Sequence, residues 1–244
     1  CDVHKSFGRS NVLAGVSVAF PPGRISVVLG PSGTGKSVLL KHLIGLLHPD
    51  RGDVLVRGES VPGMRTSQLL KMRERFGILF QDGALFGSMD VYDNVAFALR
   101  QHTDLTEAEI REIVALGLSQ VGLTSVARRL PGELSGGMRK RAGFARALAM
   151  EPQVVLFDEP DSGLDPVRTA LLSDLIREVH AVNGGTYIVV THNIGVAKLL
   201  ADFIAVLWKG RVVEAAAAGE VFASEDDFVR QFLSAETLGP LGMD

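Results

Sequence analysis

Cysteine is almost absent: Cys1 is the only one in the chain. A lone thiol cannot close an intrachain disulfide, which points to a reducing compartment, and Cys1 itself reads as a bystander. Long apolar runs are missing as well. The stretch Phe203-Ile204-Ala205-Val206-Leu207-Trp208 falls far short of the roughly 18 residues that span a bilayer. No basic-then-apolar leader opens the sequence. These absences together point to a soluble, cytoplasmic chain. Positive charge is not in excess either: 25 Lys and Arg stand against 28 Asp and Glu, a net charge of −3. That balance argues against a surface that grips nucleic acid throughout, though it leaves room for a local basic patch. No internal repeat is visible. The chain begins without Met, so a few native residues are expected to be missing.

What is present is a globular composition. With 244 residues, 46% of them hydrophobic, the chain can bury a sizeable core as one large domain or a core with a subdomain. Its most informative segment is Gly30-Pro31-Ser32-Gly33-Thr34-Gly35-Lys36-Ser37. It follows the apolar run Ile25–Leu29 and leads into Val38–Leu43. Strand, glycine-rich turn and helix with the G-x-x-x-x-G-K-[ST] spacing make a phosphate-binding P-loop, also called Walker A. The glycines let consecutive N–H groups point inward as an anion nest. The helix contributes its positive N-terminal end. Lys36 places a charge on the β- and γ-phosphates, and the Ser37 hydroxyl can join the shell of a Mg²⁺ ion. The sequence therefore predicts a nucleotide-binding protein.

Periodicity organises the rest. Val12–Phe20 reads as a strand ended by Pro21-Pro22-Gly23, Asp53–Gly58 as a short strand, and Phe76–Gln81 as another. From about residue 90 to 150 the pattern is helical. Thr106 with Glu109 makes a capping box before Ile110, Ile113, Val114 and Leu118. Val154–Phe157 and Thr186–Val190 are continuous apolar runs suited to buried parallel strands. Between them Leu171, Leu172, Leu175, Ile176 and Val179 mark an amphipathic helix. A hairpin is expected across Lys209-Gly210, and Ala215–Ala218 is left open between helix and loop.

Two further clusters carry chemistry. Asp158-Glu159 ends the Val154–Phe157 strand, and parallel strands deliver their ends to the ligand edge of a sheet. There Asp158 would hold Mg²⁺ and Glu159 would act as general base on the attacking water. Ser135-Gly136-Gly137 stands at the start of the Arg139–Leu148 helix, a second anion site. One nucleotide scarcely needs two helix N-termini from one subunit, and a symmetric dimer resolves this by facing each P-loop with the partner's Ser135-Gly136-Gly137.

In this order and spacing the motifs resemble the ATPase subunits of ABC (ATP-binding cassette) transporters over nearly the full length. Leu134-Ser135-Gly136-Gly137-Met138 is similar to the family's signature motif. The resemblance implies an α/β P-loop NTPase (RecA-like) core with a small antiparallel β subdomain and an inserted helical subdomain. Residues 1–82 and 151–222 would form the core, 83–150 the helical subdomain, and 223–244 a C-terminal helix and tail. It further implies that Gln81 is the Q-loop glutamine sensing Mg²⁺ and the γ-phosphate. On the same basis His192 is the switch histidine on the γ-phosphate, Ser162-Gly163-Leu164-Asp165 the D-loop, and Phe7 the aromatic that stacks on adenine. ATP and Mg²⁺ are the implied ligands, with Ser37, Gln81 and Asp158 around the metal. A homodimer peripheral to the cytoplasmic face of the inner membrane, bound to a permease dimer, is the implied assembly.

Gly83-Ala84-Leu85-Phe86 after Gln81, Asp93-Asn94-Val95-Ala96 and Met138 are similar to the ATPases of Mce (mammalian cell entry) and Mla-type lipid transport systems. So are Arg100-Gln101-His102-Thr103 and the tail Val229–Leu233 ending in Gly239-Pro240. That branch implies Mce-domain partners, import of fatty acids or sterols, and a tail from about Phe228 that braces the neighbouring subunit. It also implies that exposed positions near Phe86 to Tyr92 form a groove for the permease. An ABC ATPase for a small solute such as an amino acid or metal is the main alternative, and a non-transport ABC ATPase a further one. A P-loop kinase or GTPase would leave Leu134–Met138 unexplained.

Overall fold

The computed structural model describes residues 1–242. Its first elements in chain order are β1 (Val3–Phe7), β2 (Ser10–Val16), β3 (Ile25–Leu29), α1 (Lys36–Leu43), β4 (Leu55–Val56), β5 (Glu59–Ser60), α2 (Thr66–Arg73), β6 (Phe76–Leu79), α3 (Val91–His102) and α4 (Glu107–Gln120). They are followed by α5 (Gly136–Leu148), β7 (Val154–Asp158), α6 (Pro166–Asn183), β8 (Thr186–Thr191), α7 (Ile194–Leu200), β9 (Phe203–Trp208), β10 (Arg211–Ala217), α8 (Ala218–Phe222) and α9 (Asp227–Ser234). The chain divides into two compact units: one holds Cys1–Leu70 with the chain from Ile188 onward, the other Lys71–Tyr187.

In the first unit β3 is buried along its whole length, as an unbroken Ile-Ser-Val-Val-Leu run dictates. It pairs parallel with β9, Ser26 opposite Phe203 and Leu29 opposite Val206. β9 pairs antiparallel with β10. The expected Lys209-Gly210 hairpin forms with both residues at positive φ, 46° and 72°, the conformation that matches strand twist in a two-residue turn. The open Ala215–Ala218 patch splits: Ala215–Ala217 end β10 and Ala218 begins α8. β1 pairs antiparallel with β2, and β4 with β5. The strand read over Val12–Phe20 stops at Val16. The strand read over Asp53–Gly58 shrinks to Leu55–Val56, because Arg57 and Gly58 turn at positive φ of 53° and 83°. The Asp226 carboxylate caps α9 by accepting from the Phe228 and Val229 amides, both at 3.0 Å. Phe228 stacks on Trp208 with centroids 4.1 Å apart. Gln231, buried, accepts from the Leu241 amide at 2.7 Å, so the tail through Leu241 folds onto α9 of its own chain. The last two residues of the 223–244 tail lie outside the described residues.

In the second unit β6 and β7 pair parallel, Phe76 opposite Val154. Helices follow where the sequence places caps. The Thr106–Glu109 capping box forms in full, with the Thr106 amide donating to Glu109 at 2.7 Å. Ile110, Val114 and Leu118 point into the core. Asp165 caps α6 by accepting from the Arg168 amide at 2.9 Å, with Pro166 as its first residue. Along α6, Leu172, Ile176 and Val179 are buried while Leu171 is 64% exposed. The apolar stripe is thus narrower than its sequence reading. Phe144, Phe157 and Tyr187 form a chain of tilted rings with centroids 5.3 and 5.6 Å apart. Among the described residues no helix is long and apolar enough to cross a membrane.

Candidate active site

The phosphate loop lies in the first unit, where β3 hands over to α1. Gly30 has φ 159°, and a Cβ there would sit 2.1 Å from the Leu207 carbonyl oxygen of β9. Only glycine lets the chain leave the sheet at that point. Gly33 and Gly35 follow at φ 79° and 96°. Gly35 is the N-cap of α1 and no side chain caps it, the arrangement in which N-terminal amides are offered to an anion. Lys36 is buried, its Nζ donating to the carbonyls of Gly30 at 2.9 Å and Pro31 at 2.7 Å. The Thr34 hydroxyl donates to Pro31 as well, at 2.9 Å. Ser32 and Gly33 are exposed at the tip, and Ser37 is half-buried in the first turn of the helix. Phe7 ends β1 with its ring 47% exposed, Lys5 Nζ 5.7 Å from its centroid. His192 is exposed in the turn between β8 and α7. Asn193 shapes that turn: its amide donates to Thr191 Oγ1 at 3.0 Å and its side chain accepts from Gly195 at 2.9 Å.

The remaining candidates lie in the second unit. β7 ends at Asp158, and Glu159 follows at φ 47°, a left-handed conformation unusual for a residue with a side chain. The chain then turns tightly, with the Ser162 amide donating to the Glu159 carbonyl and Leu164 to Asp161, both at 3.1 Å. Gln81, just beyond β6, donates through Nε2 to the Ser162 hydroxyl at 2.9 Å. The structure thus ties the glutamine to the loop that carries Glu159. Ser135 caps α5, accepting from the Met138 amide at 3.3 Å. A Cβ on Gly136 or Gly137 would meet nothing nearer than 3.8 Å. Both glycines are half-buried, with only ordinary side-chain contacts beside them.

Sequence reasoning missed three residues on α5. Lys140 is 4% exposed and its Nζ donates to the carbonyls of Pro160 at 2.8 Å and Ser162 at 2.5 Å. Burial pushes its pKa below that of an ordinary lysine, and the carboxylates of Asp161, Asp82 and Glu159 oppose the shift. Arg146 donates to Ala84 at 2.7 Å and Gly83 at 3.0 Å, again with its pKa lowered by burial. Gly143 lets the helix lie against the same segment, since a Cβ there would stand 2.9 Å from the Gly83 carbonyl oxygen. The available signal was spacing: positions 140, 143 and 146 recur at every third residue of the helix. The sequence reading placed Lys140 and Arg146 on this helix and gave them no further role.

Ser37 in the first unit, and Gln81 and Asp158 in the second, each carry a side-chain oxygen, the donor type that suits Mg²⁺. Among the described residues no group of three or more His, Cys, Asp or Glu is placed to hold a metal. Such an ion would rest largely on nucleotide phosphates and water. Phe86 is 43% exposed while Tyr92 is buried, with Arg128 4.6 Å and Arg100 5.7 Å from the Tyr92 ring centroid. Tyr92 is therefore packed, and the exposed positions of this segment are Phe86, Gly87 and Ser88.

Comparison with known proteins agrees with these motifs. Residues 13–162 match the model of the ABC transporter family. A Mycobacterium tuberculosis protein named "Probable ribonucleotide transport ATP-binding protein mkl" is 51% identical over 239 residues, covering 98% of this chain and 67% of that one. The intermembrane phospholipid transport system ATP-binding protein MlaF of Escherichia coli is 41% identical over 238 residues, covering 97% and 88%. Among solved structures, cbiO1 of Clostridium perfringens, part of an ABC transporter complex, superposes with a TM-score of 0.83 at 32% identity, covering 92% of this chain and 90% of that one. The cassette MJ0796, solved as a dimer in a post-hydrolysis state with ADP and Pi, gives 0.81 at 28% identity, covering 89% and 97%. With its P-loop on β3–α1, its signature serine capping α5 and a family match across most of its length, the chain belongs to the ABC transporter family and is an ATP-binding, ABC-type ATPase.

Proposed function

We propose that the chain is the motor subunit of a lipid transporter of the Mce/Mla type. The observation that carries this reading is the 41% identity to MlaF, which spans nearly all of this chain and most of that one. It is supported by Gly83–Phe86, Asp93–Ala96 and Met138, the segments similar to that branch. On this reading two copies bind two ATP molecules, each held by the P-loop of one copy and Ser135-Gly136-Gly137 of the other. Phe7 stacks on adenine, Lys36 neutralises the β- and γ-phosphates, and Ser37, Gln81 and Asp158 hold Mg²⁺. Glu159 takes the proton of the attacking water, and His192 contacts the γ-phosphate. Bound Mg²⁺ supplies charge neutralisation on the transferred phosphoryl group. Residues 83–150 act as the helical subdomain that passes dimer closure to a membrane permease. Mce-domain proteins complete the machine at the inner membrane, and fatty acids or sterols are the imported cargo.

The name of the mycobacterial relative favours a second reading, a transporter of ribonucleotides. One experiment separates the two. The tagged chain is purified from detergent-solubilised membranes of its native host and its companions are identified. A permease with Mce-domain proteins supports lipid transport. A permease with a soluble solute-binding protein overturns it in favour of a small polar cargo, and a ribosome or nucleic-acid partner removes transport altogether.

A further inference from the structure

The loop after β7 carries a cost that something must hold. Glu159 sits at φ 47°, a conformation that disfavours a side-chain-bearing residue and persists only where its surroundings enforce it. The turn bonds from Ser162 to Glu159 and from Leu164 to Asp161 close the loop locally but do not anchor it to a rigid element. Lys140 does. It reaches from a 13-residue helix to two carbonyls two residues apart, Pro160 at 2.8 Å and Ser162 at 2.5 Å.

A buried ammonium is expensive unless its protons are satisfied. Here those bonds go to main-chain oxygens and fix the course of the backbone on the far side of Glu159. The carboxylates of Asp161, Asp82 and Glu159 lie close enough to favour the charge. The Ser162 hydroxyl also accepts from Gln81, so the segment held by Lys140 governs the place of the glutamine as well.

We propose that Lys140 is a positioning residue for ATP hydrolysis: by holding the Pro160 and Ser162 carbonyls it sets the geometry of Glu159 and Gln81, and so acts on turnover and not on nucleotide affinity. This rests on the reading of Glu159 as general base. Both bonds of Lys140 go to the loop after β7, so its role is one of orientation, where a displacement of an ångström can cost about a hundredfold in rate.

The test uses the full chain with four substitutions: Lys140→Met, Lys140→Gln, Lys140→Arg and Glu159→Gln. Steady-state hydrolysis gives kcat and KM for MgATP, a fluorescent ATP analogue gives Kd, and amide exchange follows residues 159–165. Lys140→Met and Lys140→Gln are expected to lower kcat at least about tenfold with Kd within about twofold, and to speed exchange in that loop. Lys140→Arg, which can donate two parallel bonds, is expected to recover most of the rate. Should Lys140→Met fail to fold, Lys140→Gln decides, because its neutral NH₂ group can still donate to a carbonyl while the charge and reach of the lysine are lost. Unchanged kcat in Lys140→Gln overturns the proposal, as does an equal loss of affinity or an Arg variant as slow as the Gln one. Glu159→Gln separates the two readings. If it still turns over, the base assignment fails; if it is inactive while Lys140→Gln is normal, only the positioning role fails.

Discussion

Arg146→Met isolates the contact by which α5 holds the segment after Gln81. The guanidinium donates to the Gly83 and Ala84 carbonyls and lies 5.9 Å from the Phe86 centroid. Methionine keeps an unbranched stem of similar reach, so packing changes little. What is lost is two charge-assisted bonds, each about 1.5–3 kcal/mol. Two terms reduce the sum. Ala84 is exposed, so its carbonyl recovers a bond from water. The arginine also gives back its own desolvation cost, which is what lowers its pKa. Gly83 is buried and keeps an unmet acceptor, worth about 1–3 kcal/mol. The net is about 2 kcal/mol, a fall of about 4–8 °C in Tm for a chain of this size. Thermal unfolding followed by circular dichroism reads it, with the exposed Arg177→Met as a control expected to shift little. A Tm unchanged or raised in Arg146→Met would refute the bookkeeping and the claim that this arginine holds the loop.

Two other outcomes follow from packing alone. Tyr187 is buried with no partner for its hydroxyl among the described residues, and burial pushes its pKa up to about 12. Tyr187→Phe should therefore be as stable or about 1 kcal/mol more stable at neutral pH. Between about pH 10 and 12 the unfolded wild-type chain loses this proton while the folded one keeps it, so wild-type stability falls across that window. The phenylalanine variant should lack that component, and a variant destabilised by more than about 1 kcal/mol in denaturant titrations would contradict the unpartnered hydroxyl. Gly30→Ala places a methyl 2.1 Å from a backbone oxygen that no rotamer change can relieve. It should cost at least about 2 kcal/mol and weaken ATP binding, and native stability with normal affinity would show that the loop does not approach β9 as described.

Much of this architecture was legible because it is local. The P-loop needs eight consecutive residues, the Thr106–Glu109 box needs four, and the Lys209-Gly210 hairpin needs two with left-handed backbone. Each is set by bonds between near neighbours. The pairing of β3 with β9 was not legible, since residues such as Ser26 and Phe203 are joined only by the topology of the sheet. Lys140 and Arg146 were hidden for a related reason. Their charge suggests solvent, and their burial depends on carbonyls brought up by loops some 20 and 60 residues away in sequence. Leu171 failed the other way: its spacing fits the core stripe of α6, yet it faces outward.

The most direct test of the account is Glu159→Gln. The substitution keeps size and removes the base, so ATP should still bind while hydrolysis falls by at least about a hundredfold. With ATP and Mg²⁺ the variant should run as a dimer on size exclusion with light scattering, and as a monomer without nucleotide. Retained hydrolysis, or a variant that stays monomeric with saturating ATP, would contradict both the role of Glu159 and the shared nucleotide site.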